Sequence, residues 1–185
     1  MSGGEEEVAP MTDARYPIGR FTPDPEPTPE ARAKHIQEIA SLPAQMRQAV
    51  AGLTPEQLDT PYREAGWTVR QLVHHVPDSH MNAYVRFKLA LTENVPTIKP
   101  YDEAAWANLK DSELTPIEIS LTLLDAVHIR WVTLLKSLKP ADFDRKFNHP
   151  EAGVQSLDRT LALYDWHGRH HLAHITSLRD RMKWS

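Results

Sequence analysis

The sequence predicts an all-α fold, a four-helix bundle with short connecting helices. Four long stretches place apolar residues at the three- and four-residue spacing of an amphipathic helix, proline or capping residues stand at helix starts, and no stretch reads as a convincing strand. The bundle is expected over residues 29–185, preceded by a flexible arm over residues 1–28. That arm is acidic and carries Pro10, Pro17, Pro23, Pro25 and Pro27 with little apolar periodicity, so only Tyr16, Ile18 and Phe21 are suited to docking.

The first long helix is expected to open at Pro29 and end near Gly52, with Pro43 kinking or breaking it. A turn of helix at Thr54-Pro55-Glu56-Gln57 follows. The second opens with a capping box, Thr68-Val69-Arg70-Gln71, and runs to about Thr92. At roughly 100° per residue, Val69, Leu72, Val73, Val76, Tyr84, Phe87 and Leu91 form one stripe. His80 falls on that stripe and His75 on its flank, beside Leu72 and Ser79. The stretch 93–115, with Pro96, Pro100 and a short helix from Asp102 to Leu109, is too long for a hairpin turn and suits a crossover between parallel helices. The third helix starts at Pro116 and is read with Ile119, Leu123, Val127, Trp131, Leu134 and Leu135 inward. After a connector holding Pro140, Pro150 and Gly153, the fourth begins near Ser156 or Leu157. It turns Leu157, Leu161, Tyr164, Leu172, Ile175, Leu178 and Met182 inward.

A chain of 185 residues suffices for one domain with its own core. Its 21 basic against 25 acidic residues, net charge -4, give no basic excess, so neither nucleic acid nor an anionic membrane is the expected partner. A small-molecule substrate is. The N-terminal segment lacks the charged and apolar regions of a signal peptide, and the expected location is the cytoplasm. The absence of cysteine removes disulfides and thiolate metal sites, leaving histidine as the soft ligand.

Of 10 histidines, seven lie in two short windows: His74, His75 and His80, and His167, His170, His171 and His174. Residues four apart on a helix share a face, so His167 with His171, or His170 with His174, could reach one ion. The apolar stripe favours the first pair: His171 lies nearest it and His167 just beyond, while His170 points toward solvent and His174 lies between. Gly168, which costs about 1 kcal/mol relative to alanine in a helix interior, suggests close approach by something bulky. A lone histidine of this kind is ordinarily a surface or core residue. Two clusters on separate helices shift the balance, because His74, His75 or His80 can supply a third ligand across the bundle, and the stripe alone favours His80. Three histidines suit zinc or a similar divalent ion and leave a position for water or substrate. The zincin signature is absent, since Gly168 follows the first histidine where that motif needs glutamate. Asp165, Asp78 and Glu64 are nearby carboxylates; Asp78, three residues after His75, is the best placed to orient that ring.

The blocks GWTVRQLVHHVPDSHMNAYVRFKLALTE, KPYDEAAWANLKDS and LYDWHGRHHLAHITSLRDRMKWS, with YPIGRF upstream and LDTPYREAGW between, resemble the YfiT-like branch of the DinB superfamily from Tyr16 to Ser185. The resemblance implies an up-down-down-up four-helix bundle, a homodimer, and one zinc or nickel ion per chain on three histidines. Carried over residue by residue, it selects His75 rather than His80, together with His167 and His171. Pro77 departs from the alanine usual in relatives and is expected to kink the helix two residues from a ligand. Proteins that look like this are described as metal-dependent hydrolases, and others of the superfamily use low-molecular-weight thiols such as bacillithiol. The expected function is therefore a metal-dependent hydrolase, with thiol S-transferase as the alternative. A non-catalytic metal-stabilised binding protein is the third reading, distinguished by whether His80, His174 or Asp78 closes the shell with a fourth ligand.

Overall fold

The computed structural model describes residues 13–184; the expected arm falls outside the described residues over its first 12 positions. Four long helices dominate: α1 (Pro29–Val50), α3 (Val69–Thr92), α6 (Ile117–Ser137) and α7 (Leu157–Met182). Between them lie short helices α2 (Pro55–Leu58), α4 (Glu103–Ala107) and α5 (Lys110–Leu114), a 3-10 turn at Pro140–Asp144, and a hairpin of β1 (Lys146–His149) with β2 (Gly153–Ser156).

The side-chain pairings give the direction of each helix. Arg32 bonds Asp158, Leu42 lies against Gly168, and Arg179 donates to the Ala49 carbonyl, so α1 and α7 run parallel. His74 meets Ser120, His80 meets His128 and Phe87 meets Trp131, so α3 and α6 are parallel too. Arg47 pairs with Glu118 while Ile39 meets His128, which makes α1 and α6 antiparallel. His80 meets His167 while Arg86 meets Tyr164, and α3 and α7 are likewise antiparallel. The topology is up-down-down-up, with α1 and α3 each flanked by α6 and α7. The expected crossover is thus the α3-to-α6 connection, carrying α4 and α5.

The core is split. One apolar cluster gathers Ile39, Phe87, Trp131, Leu135, Leu157 and Leu161. The other gathers Leu42, Met46, Val69, Leu72, Leu124 and Ile175. Buried histidines at positions 74, 75, 80, 128, 170, 171 and 174, with the half-buried His167, lie on the helices that both clusters line.

Several sequence expectations need correction. Pro43 does not break its helix: α1 runs unbroken through it, as α3 runs through Pro77, where a kink and not a break was expected. Burial of Pro43 with Leu42 and Met46, and of Pro77 with Val76 and Ser79, offsets the lost backbone bond. The inner face of α6 is Leu121, Leu124, His128, Trp131 and Leu135, whereas Ile119 and Leu123 are exposed. Ile119, Leu123 and Ile129 extend the apolar surface of α6 onto its exposed side, so an angular count alone does not mark which part is buried. Met182, expected inward, is 49% exposed on the last turn of α7. The hairpin was not anticipated; its strands have four residues each, too few for alternation to register, and Gly153 supplies the positive φ of +71° after the turn. Among the described residues no helix is long and apolar enough to cross a membrane.

Candidate metal centre

Helix capping fixes where the site residues fall. The Thr68 hydroxyl accepts from the Gln71 amide N–H at 3.1 Å, and the Gln71 side chain accepts from the Thr68 N–H at 3.0 Å. This starts α3 one residue later and puts His75 in its second turn. Ser156 caps α7 in the same way, accepting from Arg159 N–H at 3.2 Å. His167 and His171 then lie one turn apart in its middle, opposite α3.

The crossing brings His75, His167 and His171 together, with one ligand-capable atom of each within 4.8 Å of the others. His75 Nε2 is 3.3 Å and His171 Nε2 3.2 Å from His167 Nε2. Burial pushes the His75 imidazole down to about 4. His167 and His171 are held well below the usual histidine range, first by burial and then by the neighbouring imidazoles. Neutral rings present lone pairs, the form a metal needs. Donors on a tetrahedral ion at about 2.0–2.1 Å lie about 3.3 Å apart, so the observed spacing fits a cation.

The other named residues lie elsewhere. His74 turns to Ser120, its Nδ1 2.7 Å from the hydroxyl oxygen. His80 is wholly buried, as the stripe predicts, yet its Nε2 meets the Nδ1 of His167 at 3.2 Å rather than joining the Nε2 trio. His170 is not on the solvent side as expected: it and His174 are 8% and 3% exposed. Tyr16 lies 6.1 Å from the His170 ring and Tyr62 stacks on His174 at 3.9 Å, cover that no helical angle reveals. The Asp78 carboxylate makes no hydrogen bond to His75; burial, then the nearby Asp111, pushes it up to about 6. Asp165 binds His35 and Arg169, each at 2.6 Å, and Glu64 is exposed on a loop. Gly168 has its reason in Leu42, which a Cβ would overlap.

A cavity of about 680 Å³ reaches the cluster, lined by Ser79, Arg86, Tyr101, Glu103, Tyr164 and His167 among others. Burial pushes Tyr101 up to about 12 and raises Tyr164 as well, so both phenols keep their protons and act as donors. Sequence reading missed Arg86, Tyr101 and His128, and took Tyr164 only as an inward-facing residue. The signal for His128 was its place between Leu124 and Trp131 at core spacing; nothing local marked Arg86 or Tyr101.

Comparison with known proteins places this arrangement. The family model described as DinB superfamily matches residues 38–175. A relative from Bacillus mycoides (strain KBAB4), provisionally named a metal-dependent hydrolase, is 59% identical over 174 residues, 94% of this chain and 100% of its own. One from Bacillus cereus (strain B4264), with the same provisional name, is 58% identical over the same shares. Among solved structures, YfiT from Bacillus subtilis superposes with a TM-score of 0.91 at 51% identity, over 93% of this chain and 99% of its own. It is described as a probable metal-dependent hydrolase with an unusual four-helix bundle topology.

Proposed function

The chain belongs to the DinB superfamily, and from that premise we propose that it is a metal-dependent hydrolase in which His75, His167 and His171 hold one divalent ion, zinc or nickel, per chain. The observation that carries the proposal is the convergence of three histidine Nε2 atoms beside a cavity large enough for a small-molecule substrate. When bound, such an ion supplies Lewis acidity and lowers the pKa of water to about 7.

The surrounding residues then have clear parts. The Arg86 guanidinium donates to the Tyr164 oxygen at 3.3 Å, which leaves the phenol proton free to point elsewhere. Tyr164, Tyr101 and the Ser79 hydroxyl, 3.5 Å from His167 Nε2, are donors for a substrate carbonyl that gains charge. Pro100 and Leu163 give the cavity apolar wall. His80 sits behind His167, His174 under Tyr62, and Asp78 is not part of the cluster of ligand-capable atoms. None of the three is a fourth ligand, which supports an open, catalytic site over a closed structural one.

The test is turnover by zinc- and nickel-loaded protein on activated esters and amides, run beside electrophiles plus small thiols, bacillithiol included. Hydrolysis without thiol is expected. Turnover that requires the thiol would assign the chain to thiol S-transfer, and tight metal binding with neither activity would favour the binding protein. We also propose a homodimer, supported by the exposed Ile119 and Ile129 on α6; the mass of a single chain in light scattering at micromolar protein would contradict it.

A further inference from the structure

Pro43 has no N–H, so the carbonyl of Ile39, one turn earlier in α1, lacks its helical partner. It is taken instead by His128 of α6, whose Nδ1 lies 2.6 Å from that oxygen. A carbonyl only accepts, so the proton is on His128 Nδ1. His128 is 2% exposed and hydrogen-bonds no carboxylate, conditions that hold an imidazole neutral, and its Nε2 is then a bare acceptor. Facing it at 2.9 Å is His80 Nδ1, on α3, which must therefore donate. His80, wholly buried and equally without a carboxylate, is left with a bare Nε2. That atom faces His167 Nδ1, on α7, at 3.2 Å. His167 donates in turn, and its own Nε2 is the bare lone pair.

We propose that the Ile39 carbonyl, freed by Pro43, sets the tautomer of His167 through His128 and His80, fixing the proton on Nδ1 and aiming the Nε2 lone pair at His75 and His171. Each link comes from a different long helix, so the relay assembles only in the folded bundle. The reverse polarity would set two acceptors, the Ile39 oxygen and a bare His128 Nδ1, face to face at 2.6 Å in a dry interior. His80 and His128 are positioning residues: neither lines the cavity, and both act through His167. The use of the lone pair rests on the three histidines being a metal site; the proton positions are a property of the metal-free protein.

Those positions are read directly by long-range proton–nitrogen correlation of the imidazoles in metal-free, nitrogen-15-labelled wild-type protein. His128, His80 and His167 are each expected with Nδ1 protonated and Nε2 not; a protonated Nε2 on His167 overturns the relay. Zinc affinity by competition with a chromophoric chelator gives the second arm. His128→Gln offers an amide N–H to the Ile39 carbonyl and an oxygen to His80, and should keep both the tautomer and near-wild-type affinity. His128→Phe fills the space without the polarity and should weaken zinc about 10- to 100-fold, the scale set by loss of a hydrogen-bonded partner of a ligand, with one ion per chain retained. Wild-type affinity in His128→Phe would overturn the positioning role, and if that variant does not fold, the wild-type spectrum still decides. Expected tautomers in a protein that takes no zinc would sustain the relay and sink the metal reading. Tight zinc with a protonated His167 Nε2 in the metal-free protein would do the reverse.

Discussion

His75 and His80 stand five residues apart on one helix and do different work. His80 is the more deeply buried, and depth is what put it on the apolar stripe; His75, on the flank, is the one whose Nε2 meets the ligand-capable atoms of α7. Alanine at His75, His167 or His171 should each abolish tight zinc binding, while His170→Ala and His174→Ala should leave it near wild type, all read by the same chelator competition. Those two are buried, but under Tyr16 and Tyr62 and outside the trio, so their loss should appear in thermal unfolding instead. Asp78 carries a different expectation. Its carboxyl is pushed up to about 6 from the ordinary 3.8, so the fold favours its protonated form, a contribution present in acid and lost as pH rises through 6. Ionising it at pH 7.5 costs stability, about 3 kcal/mol for a two-unit shift and about 1 kcal/mol once its half-open setting is allowed for. Asp78→Asn should raise the urea midpoint at pH 7.5, lose that advantage near pH 4, and leave zinc affinity unchanged. A drop in zinc affinity would show that Asp78 orients His75 after all.

At the scale of elements, α1 and α7 approach at Gly168, where a Cβ would overlap Leu42 Cδ2 and lie 3.3 and 3.4 Å from Cδ1 and Cγ. Leu42 is 2% exposed and has little room to yield. Gly168→Ala gains about 1 kcal/mol of helix propensity but overpacks at a cost of about 1–3 kcal/mol, so a net loss is expected in urea unfolding. In a Leu42→Ala background the clash is gone and the same change should stabilise; an equal loss in both backgrounds would show that Leu42 is not the reason for the glycine. The long helices were legible because their signals are local: the Thr68 box, the prolines at 29 and 116, the leucine spacing of α7. So was the His167 and His171 pair. What the chain did not reveal locally depends on contact between elements. Pro43 reads as a breaker until the His128 ring is seen on the carbonyl it frees, α6 carries Ile119, Leu123 and Ile129 on its exposed side, and the cover over His170 and His174 comes from residues more than 100 positions away.

For the whole molecule, the up-down-down-up arrangement places α3 antiparallel to α7 and parallel to α6, so His75, His80 and His128 all reach the level of His167. A middle layer of neutral imidazoles has a consequence for acid stability. His128 and His174 are both lowered to about 4 from the ordinary 6.5, burial being the first cause in each. Their contribution is present above 6.5 and is lost as pH falls toward 4, because the unfolded chain binds protons that the folded one refuses. The urea midpoint of metal-free protein should therefore fall steadily from pH 7 to pH 4.5, and a flat profile would contradict the neutral layer. The level of His167 is also where the function is decided. Calorimetric titration of zinc into untagged, metal-free protein, with His167→Ala beside wild type, tests the central claim most directly. One tight site per chain, lost in His167→Ala, is the predicted result; no tight site in wild type, or one that survives the substitution, would contradict it.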